Sequence, residues 1–142
     1  MIIVDDRHLL DVLTDNSDDR VRALAADGVA TTTSWYFRLA RAVASGATTG
    51  ALSSKFGALE VSARSAVNER LQVLPTMIMT ADTRLLVPLM AACAIVSPSN
   101  FLTLEAVAAA LVMRATIIVS VMSTQIESVT RTHGVDLLVI ER

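Results

Sequence analysis

ATIIVSVMSTQIESVTRTHGVDLLVI, residues 115–140, is the stretch that decides the fold. It opens with a β-branched apolar run over residues 115–120, which reads as a buried strand. Residues 124–132 space their apolar side chains as a helix does, His133 and Gly134 stop that helix, and residues 135–140 return at once to a strand pattern. A strand, a short helix and a second strand at this spacing make the βαβ unit from which parallel sheets are assembled. The implied fold class is α/β, a three-layer arrangement with a central, mostly parallel sheet flanked by helices.

The rest of the chain fits around that unit. MIIV, residues 1–4, is wholly apolar and ends at Asp5 and Asp6, the pattern of a buried parallel strand that delivers acids at its carboxyl end. Asp6 is the expected cap of a first helix striped by Leu9, Leu10, Val12 and Leu13. Asp18 is the expected cap of a second, over residues 19–26, which stops at Asp27 and Gly28. Residues 29–33 predict another strand, and Thr33 or Ser34 would cap a helix from Trp35 to about Ser45, with Gly46 and Gly50 at its exit. Apolar residues between 52 and 74 recur mostly three or four apart, predicting one long helix stopped at Pro75. Helices over 82–95, kinked at Pro88, and over 101–113 follow, separated by the loop 97–100.

A length of 142 residues suits a single domain spanning residues 1–142, and no repeat, low-complexity tract or linker divides it. With 53% hydrophobic and 18% charged residues, the chain is richer in apolar side chains than an average soluble domain. That surplus predicts surface covered by a partner, as a homodimer or a heteromeric complex. The uncharged runs 85–96 and 106–113 are too short for a membrane span, which needs about 20 residues. Asp5, Asp6 and Asp11 occupy the place of a signal peptide's basic and apolar regions, so a cytoplasmic location is expected. Cys93 is the lone cysteine, set among apolar neighbours, and is expected to be buried and inert. A net charge of −2 with dispersed basic residues gives no linear stripe for nucleic acid. Phosphate-binding glycine loops and paired-cysteine metal motifs are absent.

An opening strand running into Val4 and Asp5, the segment LEAVAAAL at 104–111, IIVS at 117–120 and a last strand after Gly134 together resemble the PIN-domain family over the whole length, and in particular the VapC-type toxins of bacterial toxin–antitoxin pairs. The resemblance implies a PIN-type fold and, in active members, three or four carboxylates at the carboxyl end of the sheet. These hold Mg2+ or Mn2+ for hydrolysis of RNA, because hard oxygen ligands suit such ions. It also implies an antitoxin-like protein partner. Asp5 matches the first acid, and Glu105, followed by Ala106, matches the third, so these two are the expected catalytic and metal-binding residues. The second acid has no counterpart in TTTSWYFRLAR, residues 31–41. Where the fourth is due, Ser120 and Ser123 offer only hydroxyls, and Glu127 lies one turn further along. Asp6, Asp82, Ser120 and Glu127 are the further candidates. Two carboxylates hold a divalent ion weakly or not at all, so the resemblance implies a degenerate site.

Each acid also has a structural reading: Asp5 and Asp6 as helix caps, Glu105 and Asp82 as acids favoured near a helix start. Trp35, Tyr36 and Phe37 beside Arg38 and Arg41 form the one aromatic cluster, suited to stacking nucleobases or to a core or dimer interface. His8 and His133 have no ligand-spaced partner, and His133 suits the end of its helix. The expected role is a catalytically degenerate PIN-like protein that binds RNA or a protein. The alternatives are an active Mg- or Mn-dependent endoribonuclease toxin and an α/β protein-interaction domain with no nucleic-acid role.

Overall fold

A computed structural model describes residues 1–46 and 50–141. Its elements run in the order β1 (Ile2–Val4), α1 (Asp6–Leu13), α2 (Asp19–Leu24), β2 (Val29–Ala30), α3 (Thr33–Ala44), α4 (Ala51–Gly57), α5 (Val61–Gln72), β3 (Ile78–Met79), α6 (Thr83–Val96), α7 (Phe101–Met113), β4 (Thr116–Val119), α8 (Thr124–His133) and β5 (Leu137–Val139), with a short 3-10 turn at Ala25–Asp27. The strands form one sheet in the order β3-β2-β1-β4-β5, and every neighbouring pair is parallel. The α/β class and its parallel sheet are as the sequence predicts.

Alternation along the strands builds the layers, because successive strand side chains point to opposite faces. Ile3, Ala30, Ile117 and Val119 pack on one side with Met90 and Cys93 of α6, Val107 of α7, and Ile126 and Val129 of α8. Ile2, Val4 and Ile118 face the other side, against Leu9, Leu10 and Leu13 of α1, Val21 of α2, Leu39 of α3, and Val67 and Leu71 of α5. The helix α7 is buried continuously from Thr103 to Ala110. Its alanines let it lie close on the sheet while α6 covers its outer side.

Several local expectations differ from the structure. The single helix expected over residues 52–74 is two, α4 and α5, separated at Ala58, Leu59 and Glu60. Gly57 weakens the helix there, and the turn lets Phe56 and Leu59 reach the same core as Val67 and Leu71. The sequence reading has no counterpart of β3, because two residues are too few to show a period. Pro88 lies inside α6, which runs on through it to Val96. Asp5 and Thr32, not Asp6 and Thr33 or Ser34, cap α1 and α3. Among the described residues no single helix is long and apolar enough to cross a membrane.

Two described non-glycine residues have positive φ, and one of them, Arg114 at φ 51°, ends α7 in the left-handed conformation. A Cβ is disfavoured there and glycine is the usual occupant. Arg114→Gly is expected to stabilise the fold by about 0.5–1 kcal/mol, measured by urea denaturation; an unchanged or lower midpoint would show that the Arg114 side chain makes a compensating contact.

Candidate functional site

In an open parallel sheet the strand order reverses where connections leave in opposite directions, and a crevice forms there beyond the carboxyl ends of the strands. In this sheet that point lies between β1 and β4, which end at Asp5 and Ser120. The expected site residues Asp5 and Ser120 are therefore brought together, and they bond directly. Asp5 Oδ2 accepts from the Ser120 N–H at 2.6 Å and the Ser120 Oγ–H at 2.7 Å. Its Oδ1 accepts from the His8 N–H at 3.0 Å, capping α1. Asp5 is buried, and both its oxygens hold backbone or hydroxyl donors.

Glu105 behaves likewise. It is only 2% exposed, and its Oε1 and Oε2 accept from the Thr33 and Ser34 N–H groups at 3.0 and 2.9 Å. These are orphan donors of the first turn of α3, and Thr32 Oγ1 takes the next, the Trp35 N–H, at 3.1 Å. A carboxylate carried by α7 thus sits on the positive end of α3, which explains how the charge is tolerated in a buried place. Early in α3, where no acid stands, the chain presents the N–H groups that Glu105 binds.

Asp6 is also buried. Arg38 Nε lies 2.9 Å from its Oδ2 without the alignment of a hydrogen bond, so the contact is an ion pair. Burial pushes the Asp6 carboxyl above the usual carboxylate range, an effect that Arg38 opposes and the neighbouring Asp5 reinforces. The remaining candidates lie outside this group: Asp82 caps α6 through the Arg84 N–H at 2.9 Å, and Glu127 pairs with Arg131 at 2.7 Å along α8. Among the described residues no three of the His, Cys, Asp and Glu side chains are placed to share a metal ion. Asp5 and Glu105 each accept bonds from protein donors, so both carboxylates serve as structural acceptors.

Two adjoining clefts open beside these residues and share Asp6, Arg7 and Arg38. One, about 250 Å³, lies over the ends of β1 and β4 and is lined also by Asp5, Thr103, Ser120 and Ser123. The other, about 410 Å³, is lined by Arg7, Arg38 and Arg41 with Asp6 as its one acid. The aromatic cluster divides: Trp35 is core, Tyr36 donates its hydroxyl to the Leu71 carbonyl at 2.5 Å, and Phe37 is 59% exposed with the Arg41 guanidinium 5.9 Å from its ring centre. Cys93 is buried as expected, and burial raises its thiol pKa, but its Sγ lies 3.9 Å from His133 Nδ1, a neighbour the sequence did not show.

Sequence reasoning missed Arg7, whose place in both clefts follows from its being two residues past Asp5 at the start of α1. It also missed the ion pair of Lys55 with buried Asp11, 2.7 Å, which ties α4 to α1. Acid–base pairs 44 residues apart leave no local signal. The chain matches no family model and no curated protein.

Asp5→Ala removes a cap worth about 1 kcal/mol and strands buried donors at about 1–3 kcal/mol, so a loss of about 2–4 kcal/mol is expected by chemical denaturation. Glu105→Gln turns an amide NH2 toward one of the two N–H donors of α3 and is expected to cost about 1–3 kcal/mol; no loss in the same assay would mean that Glu105 does not hold that turn. For Asp6 the folded pKa is raised, so its contribution to stability is greatest below the ordinary carboxylate pKa and is lost as pH rises through the folded value. Comparing wild type with Asp6→Asn between pH 4 and pH 7 should therefore show wild type gaining on the variant as pH falls. A difference that does not vary with pH would contradict this.

Proposed function

We propose that this protein is a PIN-like RNA-binding protein that does not hydrolyse its ligand, with single-stranded RNA lying along the two adjoining clefts. The observation that carries the reading is the arginine wall: Arg7, Arg38 and Arg41 face the larger cleft against the single carboxylate of Asp6. A local excess of guanidinium groups attracts a phosphodiester backbone even where the whole chain is acidic. Phe37, exposed beneath Arg41, offers a base a stacking face at the rim of the same wall. Only two carboxylates, Asp5 and Glu105, fall where the resemblance needs three or four, and both are engaged by protein donors, which favours binding over hydrolysis.

Arg7 and Arg41 are the positions for a clean test, because Arg38 also neutralises Asp6. In fluorescence anisotropy with a labelled single-stranded RNA pool, three phosphate contacts give a slope of log K against log salt of about −2. Arg41→Gln and Arg7→Gln should each weaken binding and reduce the magnitude of that slope by about 0.7. The RNA should remain intact in the presence of Mg2+. Cleavage that disappears in Asp5→Ala would favour the endoribonuclease instead, and absence of binding at 50 mM salt would favour an interaction domain with no nucleic-acid role.

A further inference from the structure

Given the RNA-binding reading above, on which this rests, we infer that the larger cleft seats a terminal phosphomonoester, the phosphorylated end of an RNA chain, in preference to an internal phosphodiester. Charge is the first ground. Arg7, Arg38 and Arg41 line this cleft with a single acid, Asp6. Arg38 and Asp6 pair at 2.9 Å and offset each other. Arg7 and Arg41 form no ion pair among the described residues, so two positive charges stand uncompensated at the cleft. An internal phosphodiester carries one negative charge and would leave one of these guanidinium groups unanswered. A phosphomonoester carries about −1.5 to −2 at pH 7 and presents three acceptor oxygens, which suits two guanidinium forks together. Arg41 is steadied by the Phe37 ring, 5.9 Å from its guanidinium carbon, and Ser53 of α4 adds a hydroxyl to the same lining.

Shape is the second ground. The cleft lies between the start of α1, the middle of α3 and the first residues of α4. It joins the smaller cleft through Asp6, Arg7 and Arg38, and no residue of α4 lines that smaller cleft. A strand entering from the smaller cleft therefore meets α4 as a wall, a place where a chain end fits and a continuing chain does not. The wall is fixed, because Lys55 Nζ lies 2.7 Å from Oδ1 of the buried Asp11 and ties α4 to α1. The volume of about 410 Å³ is that of a pocket for one small ligand, such pockets holding roughly 300–1,000 Å³, and suits one terminal nucleotide.

Competition against an internally labelled single-stranded RNA reads the preference in the full chain. The competitors share one sequence and end in a 5′-phosphate, a 3′-phosphate or hydroxyls at both ends. At least one phosphorylated form should bind about tenfold tighter than the hydroxyl form, the effect of charge-assisted hydrogen bonds to a second ionised oxygen, and the end concerned assigns the polarity of the bound strand. Arg41→Gln should remove the preference while the hydroxyl form still binds. Arg64→Gln, in the shallow recess beside Phe56 and Val61, should leave the preference unchanged. Equal binding of the three RNAs overturns the assignment of a chain end and leaves the RNA-binding reading standing. A preference that survives Arg41→Gln, or that Arg64→Gln removes equally, also overturns it. Failure of all three RNAs to bind removes both.

Discussion

The carboxylate of Asp5 joins three parts of the molecule at one point. It terminates β1, caps α1 through the His8 N–H, and receives both donors of Ser120 at the end of β4. β1 and β4 are the neighbouring strands between which the order turns back, so this one side chain ties them together at the floor of the crevice that the topology creates there. Glu105 makes the corresponding closure on the other side, carrying the buried helix α7 onto the amino end of α3. Both carboxylates accept bonds from donors of a neighbouring element, which accounts for acids at these buried positions.

The same two closures decide what the crevice can do. An acid that accepts bonds from fixed backbone N–H groups is held in place and its charge partly offset. Arg7, Arg38 and Arg41 line the larger cleft together with Asp6, which Arg38 pairs, and Arg41 lies over the ring of Phe37. On the proposed reading, the guanidinium groups and the exposed Phe37 ring would meet an anion with a planar group beside it.

Much of the fold was legible because its signals are local. The βαβ unit of residues 115–140 announces a parallel sheet through composition and a glycine stop, and Gly134 does adopt the left-handed conformation at the end of α8. Of the two-residue strands, β2 was legible from its β-branched run but β3 was not, and neither was the break between α4 and α5, where the apolar spacing continues across the turn. At the site, the hydroxyl of Ser120 in place of an acid was visible in the sequence, but its bond to Asp5 was not, because the two are 115 residues apart. The role of Glu105 was hidden for a different reason: its partners are backbone N–H groups of Thr33 and Ser34, which every residue type carries.

The central claim is that Asp5 and Glu105 hold the fold together by accepting bonds from protein donors, with no metal ion required. A thermal melt of wild type and Asp5→Ala with and without several millimolar Mn2+ tests it directly, because it requires no knowledge of the RNA. The account predicts the same midpoint for wild type in both conditions and a much lower one for Asp5→Ala whether or not the ion is present. An ion bound with a dissociation constant a hundredfold below its concentration would stabilise wild type by about 2.7 kcal/mol, several degrees for a chain of this size. Such a shift in wild type, lost in Asp5→Ala, would contradict the account and return Asp5 to the role of a metal ligand.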